Sequence, residues 1–375
     1  MTRKLARIVK IDNLLPIEGA DRIEVAQIGG WQVVVKKNEF KKGGFAVYFE
    51  IDSWIPNSIA PFLTKEGKEP KEFDGVKGER LKTVKLRKVI SQGLLIPVSN
   101  FAGITQVKEG LDLTEKLGIK KWEPLEDILN NNNGGGKKTG NPARKFPDFI
   151  PKTDQDRVQN MVGLYKCVDT FEVTVKLDGS SLTMYCVMPN SNHYCDKRGI
   201  IRKFFDKIMG NKPKHNVGVC SRNIELKDNG NQFWETVKQN GNLQAMIDYC
   251  VEHNTSVAVQ GELVAPNIQG NYEKVDKAEF YCFNVFHIDE GIYLLPEHQR
   301  KFCKETNISY VPMVASAFNL PKEYTIKSLL DMAEGSSMNK GVKREGLVFK
   351  SNQRDFSFKA ISNSYLLHKE SKFNE

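Results

Sequence analysis

The stretch Glu172-Val-Thr-Val-Lys176-Leu-Asp178-Gly179-Ser180-Ser181 joins an apolar, β-branched run to a lysine, a carboxylate, a glycine and two hydroxyls. The run reads as a buried strand, and the Asp-Gly step as the turn that ends it. A lysine at such a junction is a candidate nucleophile. Its amine, with an ordinary pKa near ~10.4, loses its proton at neutral pH only through desolvation or a neighbouring cation. A hydrated Mg²⁺ would serve. Two later strands offer carboxylates to hold the waters of such an ion: Glu262 in Gln260-Gly-Glu-Leu-Val264, and Glu345 in Arg344-Glu-Gly-Leu-Val-Phe-Lys350. Asp178 would be the third. Lys350 and Lys359 each end a β-like run and are placed to meet phosphate charge in one shared cleft. Taken alone, Lys-Leu-Asp-Gly is a strand-to-turn junction far more often than a site, and the ordered set carries the reading.

Around this stretch, strand-like runs cover Phe171 to Val175, Ser181 to Val187, Val257 to Val264, Phe280 to Ile288, Gly346 to Lys350 and Phe356 to Phe358. Phe233 to Val237 and Leu243 to Val251 have helical spacing, with a break at Asn240-Gly241. Antiparallel sheets with packed helices, an α+β domain, satisfy that order. Upstream, the polar run Asn130 to Gly140 can bury nothing and reads as a flexible linker. Before it, short alternating segments at Ile23 to Ile28, Trp31 to Val35, Ala46 to Phe49 and Leu94 to Val98 predict a small all-β barrel. The expected organisation is a β-barrel domain over 1–129, a linker over 130–145 and a catalytic α+β domain over 146–375. Trp31 and Trp54 are expected in the core.

A chain of 375 residues can fill two domains, and 40% hydrophobic with 27% charged residues suits a soluble globular protein. No apolar run approaches the ~18 residues of a membrane span, and the start Met1-Thr-Arg-Lys4 lacks a signal peptide's apolar stretch. Seven cysteines, an odd number without Cys-x-x-Cys or another ligand spacing, predict reduced thiols and an intracellular protein. The net charge of +9 favours polyanionic partners. The densest basic cluster, Lys77, Arg80, Lys82, Lys85, Arg87 and Lys88, would track a phosphodiester backbone or form a solvated surface. The basic stretch Lys197 to Lys214, around Phe204-Phe205, would clamp such a polyanion or be a loop with no role.

Over roughly residues 150 to 360 the sequence resembles the covalent nucleotidyltransferase superfamily of polynucleotide ligases and mRNA capping enzymes. Lys176-Leu-Asp-Gly179 resembles its nucleophile motif, and Ser221-Arg222-Asn223 the next, whose arginine reaches the ribose or phosphate side of the nucleotide. Gly261-Glu262-Leu-Val264 resembles the third, whose glutamate binds the ribose or a metal-bound water. In Phe283-Asn-Val-Phe286-His-Ile288 the resemblance implies that Phe286 stacks on adenine. Glu345-Gly-Leu-Val-Phe-Lys350 is similar to the fourth motif and Phe356-Ser-Phe-Lys359 to the fifth, which implies α-phosphate contacts for Lys350 and Lys359. The fifth motif commonly carries lysines two apart, and Ser357 stands where the first would be. Pro151 to Asn160 looks like the lead-in of RNA ligases, or like an N-capped helix start with Thr153 or Asp154 as the cap.

Little chain follows Lys359, so the trailing domains of DNA ligases, capping enzymes and another RNA ligase group are not expected. The first hundred residues resemble an OB domain instead, in Ala20-Asp-Arg-Ile-Glu-Val25, Gly43 to Pro56 and Leu86 to Pro97. The resemblance is thus to the RNA ligase family with an N-terminal OB domain and a C-terminal nucleotidyltransferase (ATP-grasp-like ligase) domain. It implies ATP as substrate, Mg²⁺ or Mn²⁺ as cofactor, and Lys176 as the residue that forms lysyl-AMP. Arg222, Glu262, Phe286, Lys350 and Lys359 would bind the nucleotide, and Asp178, Glu262 and Glu345 would serve the metal. The partner would be RNA with 3′-hydroxyl and 5′-phosphate ends, duplex or nicked, and the enzyme a monomer acting in RNA repair. The rivals are a capping guanylyltransferase that uses the same lysine with GTP, and an inactive RNA-binding protein.

Overall fold

The computed structural model describes residues 3–122, 144–161, 163–196, 215–321 and 323–372. The run Asn130 to Gly140 and the basic stretch Lys197 to Lys214 lie outside them. Packing divides the described residues into two units. The first contains residues 3–122, 158–161 and 163–164 and the C-terminal helix, and the second contains the described residues of 144–157 and 165–362.

In the first unit the strands are β1 (Ala6–Lys10), β2 (Asn13–Pro16), β3 (Ile23–Ile28), β4 (Trp31–Lys36), β5 (Phe45–Phe49), β6 (Ser53–Pro56), β7 (Lys71–Phe73), β8 (Val76–Arg80), β9 (Thr83–Leu86), β10 (Val89–Gln92), β11 (Leu94–Pro97) and β12 (Lys120–Lys121). They form small sheets ordered β1-β5-β11, β2-β3-β4, β10-β9 and β12-β6-β8-β7. Strand β5 shows why the sequence here runs apolar without alternation: both its faces are covered. Ala46 and Tyr48 pack with Val9, Ile11, Trp31 and Val33, and Val47 and Phe49 pack with Ala6, Ile8, Ile55 and Ile96. Trp31 and Trp54 are 2% and 3% exposed, as their core assignment requires.

Directly after β5 stands Glu50, a carboxylate with no exposed surface. Its Oε1 accepts from Arg3 Nε at 2.8 Å and NH2 at 2.6 Å, and its Oε2 from Arg7 NH1 at 3.2 Å and Asn160 Nδ2 at 3.1 Å. Asn160 Oδ1 in turn accepts from Arg7 NH2 at 2.9 Å and Trp31 Nε1 at 2.8 Å. A buried carboxylate is tolerated only when its lone pairs are met in this way. The helix-start reading of the lead-in segment is corrected here. Asp156–Arg157 is a short strand and Val158–Asn160 a single 3₁₀ turn, with Asn160 spent on Glu50.

The second unit contains β13 (Arg144–Lys145), β14 (Asp156–Arg157), β15 (Thr170–Lys176), β16 (Ser180–Val187), β17 (Asn216–Cys220), β18 (Ile224–Leu226), β19 (Val257–Val264), β20 (Glu279–His287), β21 (Ile292–Tyr293), β22 (Met313–Asn319), β23 (Gly346–Ser351) and β24 (Ser357–Ile361). Its helices are α1 (Gln232–Gln239), α2 (Asn242–His253), α3 (Pro296–Glu305) and α4 (Ile326–Ala333); α5 (Asn363–Lys372) packs with the first unit. Helix α1 starts where the Asn231 side chain accepts from Trp234 N, and Gly241 separates it from α2 at φ 75°.

A seven-stranded sheet, β13-β18-β17-β16-β19-β20-β21, buries Leu182, Met184, Val257, Val259 and Leu263 against Phe233, Val237, Met246 and Phe302 of the helices. Because strand side chains alternate, the opposite face carries Ser181, Thr183, Gln260 and Glu262. The five-stranded sheet, β14-β24-β23-β15-β22, alternates likewise. Phe171, Phe349 and Phe358 share one face, with Phe349 and Phe358 stacked at 4.7 Å, and Glu172, Lys176, Lys350 and Lys359 share the other. The fold is α+β; among the described residues the strand pairs are antiparallel except β14 with β24, and an isolated bridge joins Cys282 to Tyr310 in parallel.

Replacing Glu50 by alanine leaves two guanidinium groups and an amide without their shared acceptor. The expected loss is about 3–5 kcal/mol of first-unit stability, read as a lower unfolding midpoint in a thermal or urea melt. An unchanged midpoint would deny Glu50 this role.

Candidate active site

Lys176 is the last residue of β15, opposite Gly346 of β23. Gly346 is needed there, since a Cβ would stand 2.2 Å from Ala360 O of the neighbouring strand. Its predecessor Glu345 thereby lies beside Lys176, with Oε2 accepting from Nζ at 2.8 Å. After Lys176 the chain turns through Asp178 and Gly179, and two carboxylates hold the turn by successive backbone N–H groups. Asp178 N donates to Glu273 Oε1 at 3.0 Å, and Gly179 N donates to Glu262 Oε1 at 3.1 Å. A Cβ on Gly179 would stand 2.4 Å from Leu263 O, so only glycine lets the turn before β16 approach β19 this closely.

Asp178, Glu262 and Glu345 thus surround one ammonium. Burial pulls the Lys176 pKa down, but Glu345, Glu262 and Asp178 outweigh it and hold the amine up at about 12. Glu262 shows the reverse strain. Burial pushes its carboxyl up, Lys176 and the Gly179 N–H oppose, Glu345 and Asp178 add to the push, and the result is about 7. The site has more carboxylate than cation, and the donor set suits a hydrated divalent ion. Among the described residues no three His, Cys, Asp or Glu side chains are gathered tightly enough to ligate an ion directly. Asp178, Glu262 and Glu345, all acting on the one ammonium of Lys176, have the chemistry to hold the waters of such an ion.

Lys359, on β24, pairs with Asp154 Oδ1 at 3.0 Å, and Arg222 NH2 stands 3.7 Å from Asp154 Oδ2. Two expected phosphate-side cations are thus brought together by one carboxylate. Beside them a pocket is lined by Phe146, Lys152, Thr153, Ser181, Thr183, Arg222 and Gln260. The other two expected nucleotide contacts have different partners. Phe286 is 5% exposed and packs edge-on against Tyr293 with centroids 5.0 Å apart, in a cluster with Tyr185 and Ala258. Lys350 is 6% exposed, and its Nζ donates to Phe283 O, to Asn284 Oδ1 at 2.7 Å and to Gln299 Oε1 at 3.2 Å. Burial brings its pKa down to about 8 despite Cys282 and Glu172 nearby. It bridges the five-stranded sheet to β20 and α3.

Sequence reasoning missed Glu273. This 1% exposed residue accepts from Asp178 N and from Ser337 Oγ, and its own carbonyl accepts from Asn339 Nδ2 at 2.6 Å. Nothing in its spacing marks it, because its partners are distant in sequence.

The comparisons with known proteins bear on the family and the fold. A family described as RNA ligase matches residues 169–361, and one described as an OB-fold domain matches residues 5–98. Among solved structures, an apo mutant of Naegleria gruberi RNA ligase is 38% identical, with a TM-score of 0.80, over 100% of this chain and 99% of that one. The same ligase with PPi matches at 38% identity and a TM-score of 0.79 over 100% of both chains. A mutant of it with ATP and Mn matches at 38% identity and a TM-score of 0.78, over 97% of this chain and 98% of that one. No curated protein matches. The chain belongs to the RNA ligase family, with an OB-fold domain preceding its ligase domain. Among the described residues no helix is long and apolar enough to cross a membrane, and all seven cysteines are free.

The raised Glu262 carboxyl gives a stability prediction. Its folded pKa of about 7 stands above the ordinary 4.5, so the folded state binds the extra proton between those values. Its favourable contribution is present below about 4.5 and is lost as pH rises through 7. Glu262→Gln keeps an oxygen for Gly179 N and carries no charge. Relative to the unaltered protein, the variant is expected to gain about 1–3 kcal/mol as pH rises from 5 to 8, measured as a diverging pair of melting temperatures. Parallel curves would contradict the assignment.

Proposed function

We propose that the protein is an ATP-dependent RNA ligase that joins a 3′-hydroxyl to a 5′-phosphate through a lysyl-AMP on Lys176. The observation that carries the proposal is Lys176 at a strand end, ringed by Asp178, Glu262 and Glu345, with Lys359 and Arg222 paired nearby on Asp154.

A divalent cation, when bound, supplies the positive charge that lets the ammonium of Lys176 release its proton and that offsets phosphate charge. The chain's own residues do the rest. Glu345 Oε2, already accepting from Nζ, is the proton acceptor at hand and aims the amine. The Lys176 nitrogen attacks the α-phosphorus of ATP, the N–P bond forms, and pyrophosphate leaves with the electron pair of the broken P–O bond. Lys359 and Arg222, whose charges now meet on a carboxylate, would exchange Asp154 for phosphate oxygens. The pocket beside Arg222 would take the nucleoside, with Phe286 in its apolar backing. Lys350, bound to Phe283 O and Asn284, would set the β20 strand under it and act on the α-phosphate only if it exchanges those acceptors. AMP then passes to an RNA 5′-phosphate, and a 3′-hydroxyl displaces it to close the phosphodiester. Nicked duplex RNA, and hence repair, is the substrate class that the family resemblance supports.

The purified protein should take up label from α-labelled ATP with Mn²⁺ or Mg²⁺, stable to denaturing electrophoresis, and Lys176→Ala should lose it entirely. Label from GTP alone would move the reading to a capping guanylyltransferase. No label from either nucleotide would favour an inactive RNA-binding protein. Glu273→Ala, which frees the Asp178 turn, is expected to slow labelling about 10- to 100-fold without abolishing it, measured as the single-turnover rate. An unchanged rate would show that the turn needs no such support.

A further inference from the structure

The basic cluster expected at Lys77 to Lys88 divides in the structure. Arg80 is paired with Asp52 at 2.7 Å and covers the Trp122 ring, and Lys77 lies 3.9 Å from Glu69. The β9–β10 hairpin beyond them is different. Val84, Lys85, Leu86, Arg87 and Lys88 are all exposed, and the sequence contains no carboxylate from Leu81 to Lys108. Among the described residues Lys85, Arg87 and Lys88 have no ion-pair partner.

The turn itself is unusual. Leu86 pairs with Val89, which leaves a two-residue loop, and its residues Arg87 and Lys88 have φ of 47° and 68°. Such a loop calls for Asn-Gly or Asp-Gly. The β7–β8 hairpin of the same unit obeys the rule, with Phe73 paired to Val76 across Asp74-Gly75 at φ 49° and 74°. In the left-handed region the Cβ of arginine or lysine crowds the following carbonyl, a cost that glycine escapes, so the β9–β10 turn keeps two adjacent cations where a less strained pair was open to it. Backbone strain of this kind marks a segment with a use.

We propose that the tip of the β9–β10 hairpin is an RNA-backbone contact, in which Lys85, Arg87 and Lys88 meet phosphates of the duplex that the ligase seals. The inference rests on the ligase reading and adds to it the element of the first unit that grips the polynucleotide. Charge without an ion-pair partner, exposed side chains and a carboxylate-free stretch of sequence suit a phosphodiester chain, whose spaced charges release counterions on contact.

The test is the double variant R87N/K88G, which installs the preferred turn pair and removes both tip charges. It should melt at a higher temperature than the unaltered protein, because the turn strain is relieved. In fluorescence anisotropy with a labelled nicked RNA duplex it should bind about tenfold more weakly at 0.1 M KCl. Its slope of log affinity against log salt should be shallower by about 1.5, as two lost phosphate contacts require. The swapped variant R87K/K88R should keep affinity and slope. A stabilised R87N/K88G that binds RNA with unchanged affinity and slope would overturn the proposal while leaving the ligase reading intact. Failure of that reading would show separately, as wild-type protein that takes up no label from ATP.

Discussion

Three carboxylates face a single ammonium at the end of β15, and the rest of the second unit is arranged to maintain that imbalance. Asp178, Glu262 and Glu345 come from three different strands or turns, and each is brought in by backbone geometry. Glycines at 179 and 346 allow the approach, since a Cβ at either would collide with a neighbouring strand's carbonyl. The balance explains both perturbed groups at once. An amine held at about 12 is a poor nucleophile, and a carboxyl held at about 7 is reluctant to ionise. A divalent cation relieves both, so the same charges that keep the lysine inert alone would prepare it when the metal and nucleotide arrive.

The supporting layer is polar and buried. Glu273 fixes the turn after the lysine, and Ser337 and Asn339 fix Glu273 in place. On the other side, Glu172 has no exposed surface, accepts from Tyr310 Oη at 2.6 Å and pairs with Arg300, while Lys350 and Tyr310 both donate to Gln299. Such networks are costly when half-made and rigid when complete. They tie α3 and β20 to the five-stranded sheet, which sets the spacing between the polar faces of the two sheets.

Much of this was legible in the sequence. Strands β3 and β19 span Ile23–Ile28 and Val257–Val264, the runs their composition marked out, and α1 and α2 break at Asn240-Gly241 as expected. Long apolar runs declare themselves because burial on one or both faces leaves a period. Lys176, Asp178, Glu262 and Glu345 were also found, since each sits beside a glycine or a strand end that punctuates the pattern. Glu273 was invisible because a lone glutamate in a loop carries no periodicity, and its partners Asp178 and Ser337 lie far along the chain. The sequence points Lys350 and Lys359 toward one cleft, and the two do share a sheet face, but the acceptors that surround Lys350 Nζ come from β20 and α3 and leave no trace in local sequence. Of the two readings of the lead-in segment the helix start fails: Thr153 and Asp154 resemble a helix cap, whereas tertiary contacts spend Asp154 on Lys359 and Asn160 on Glu50.

Carboxylates keep Lys176 protonated until a divalent cation offsets them. The most direct measurement is the pKa of Lys176 itself, taken from the pH dependence of its labelling by an amine-selective reagent, with the modified peptide read by mass spectrometry. The account predicts a value above that of an ordinary lysine in the metal-free protein and a marked fall when Mg²⁺ and a non-hydrolysable ATP analogue are added. A value below the ordinary one without metal, or one that metal and nucleotide leave unmoved, would contradict it.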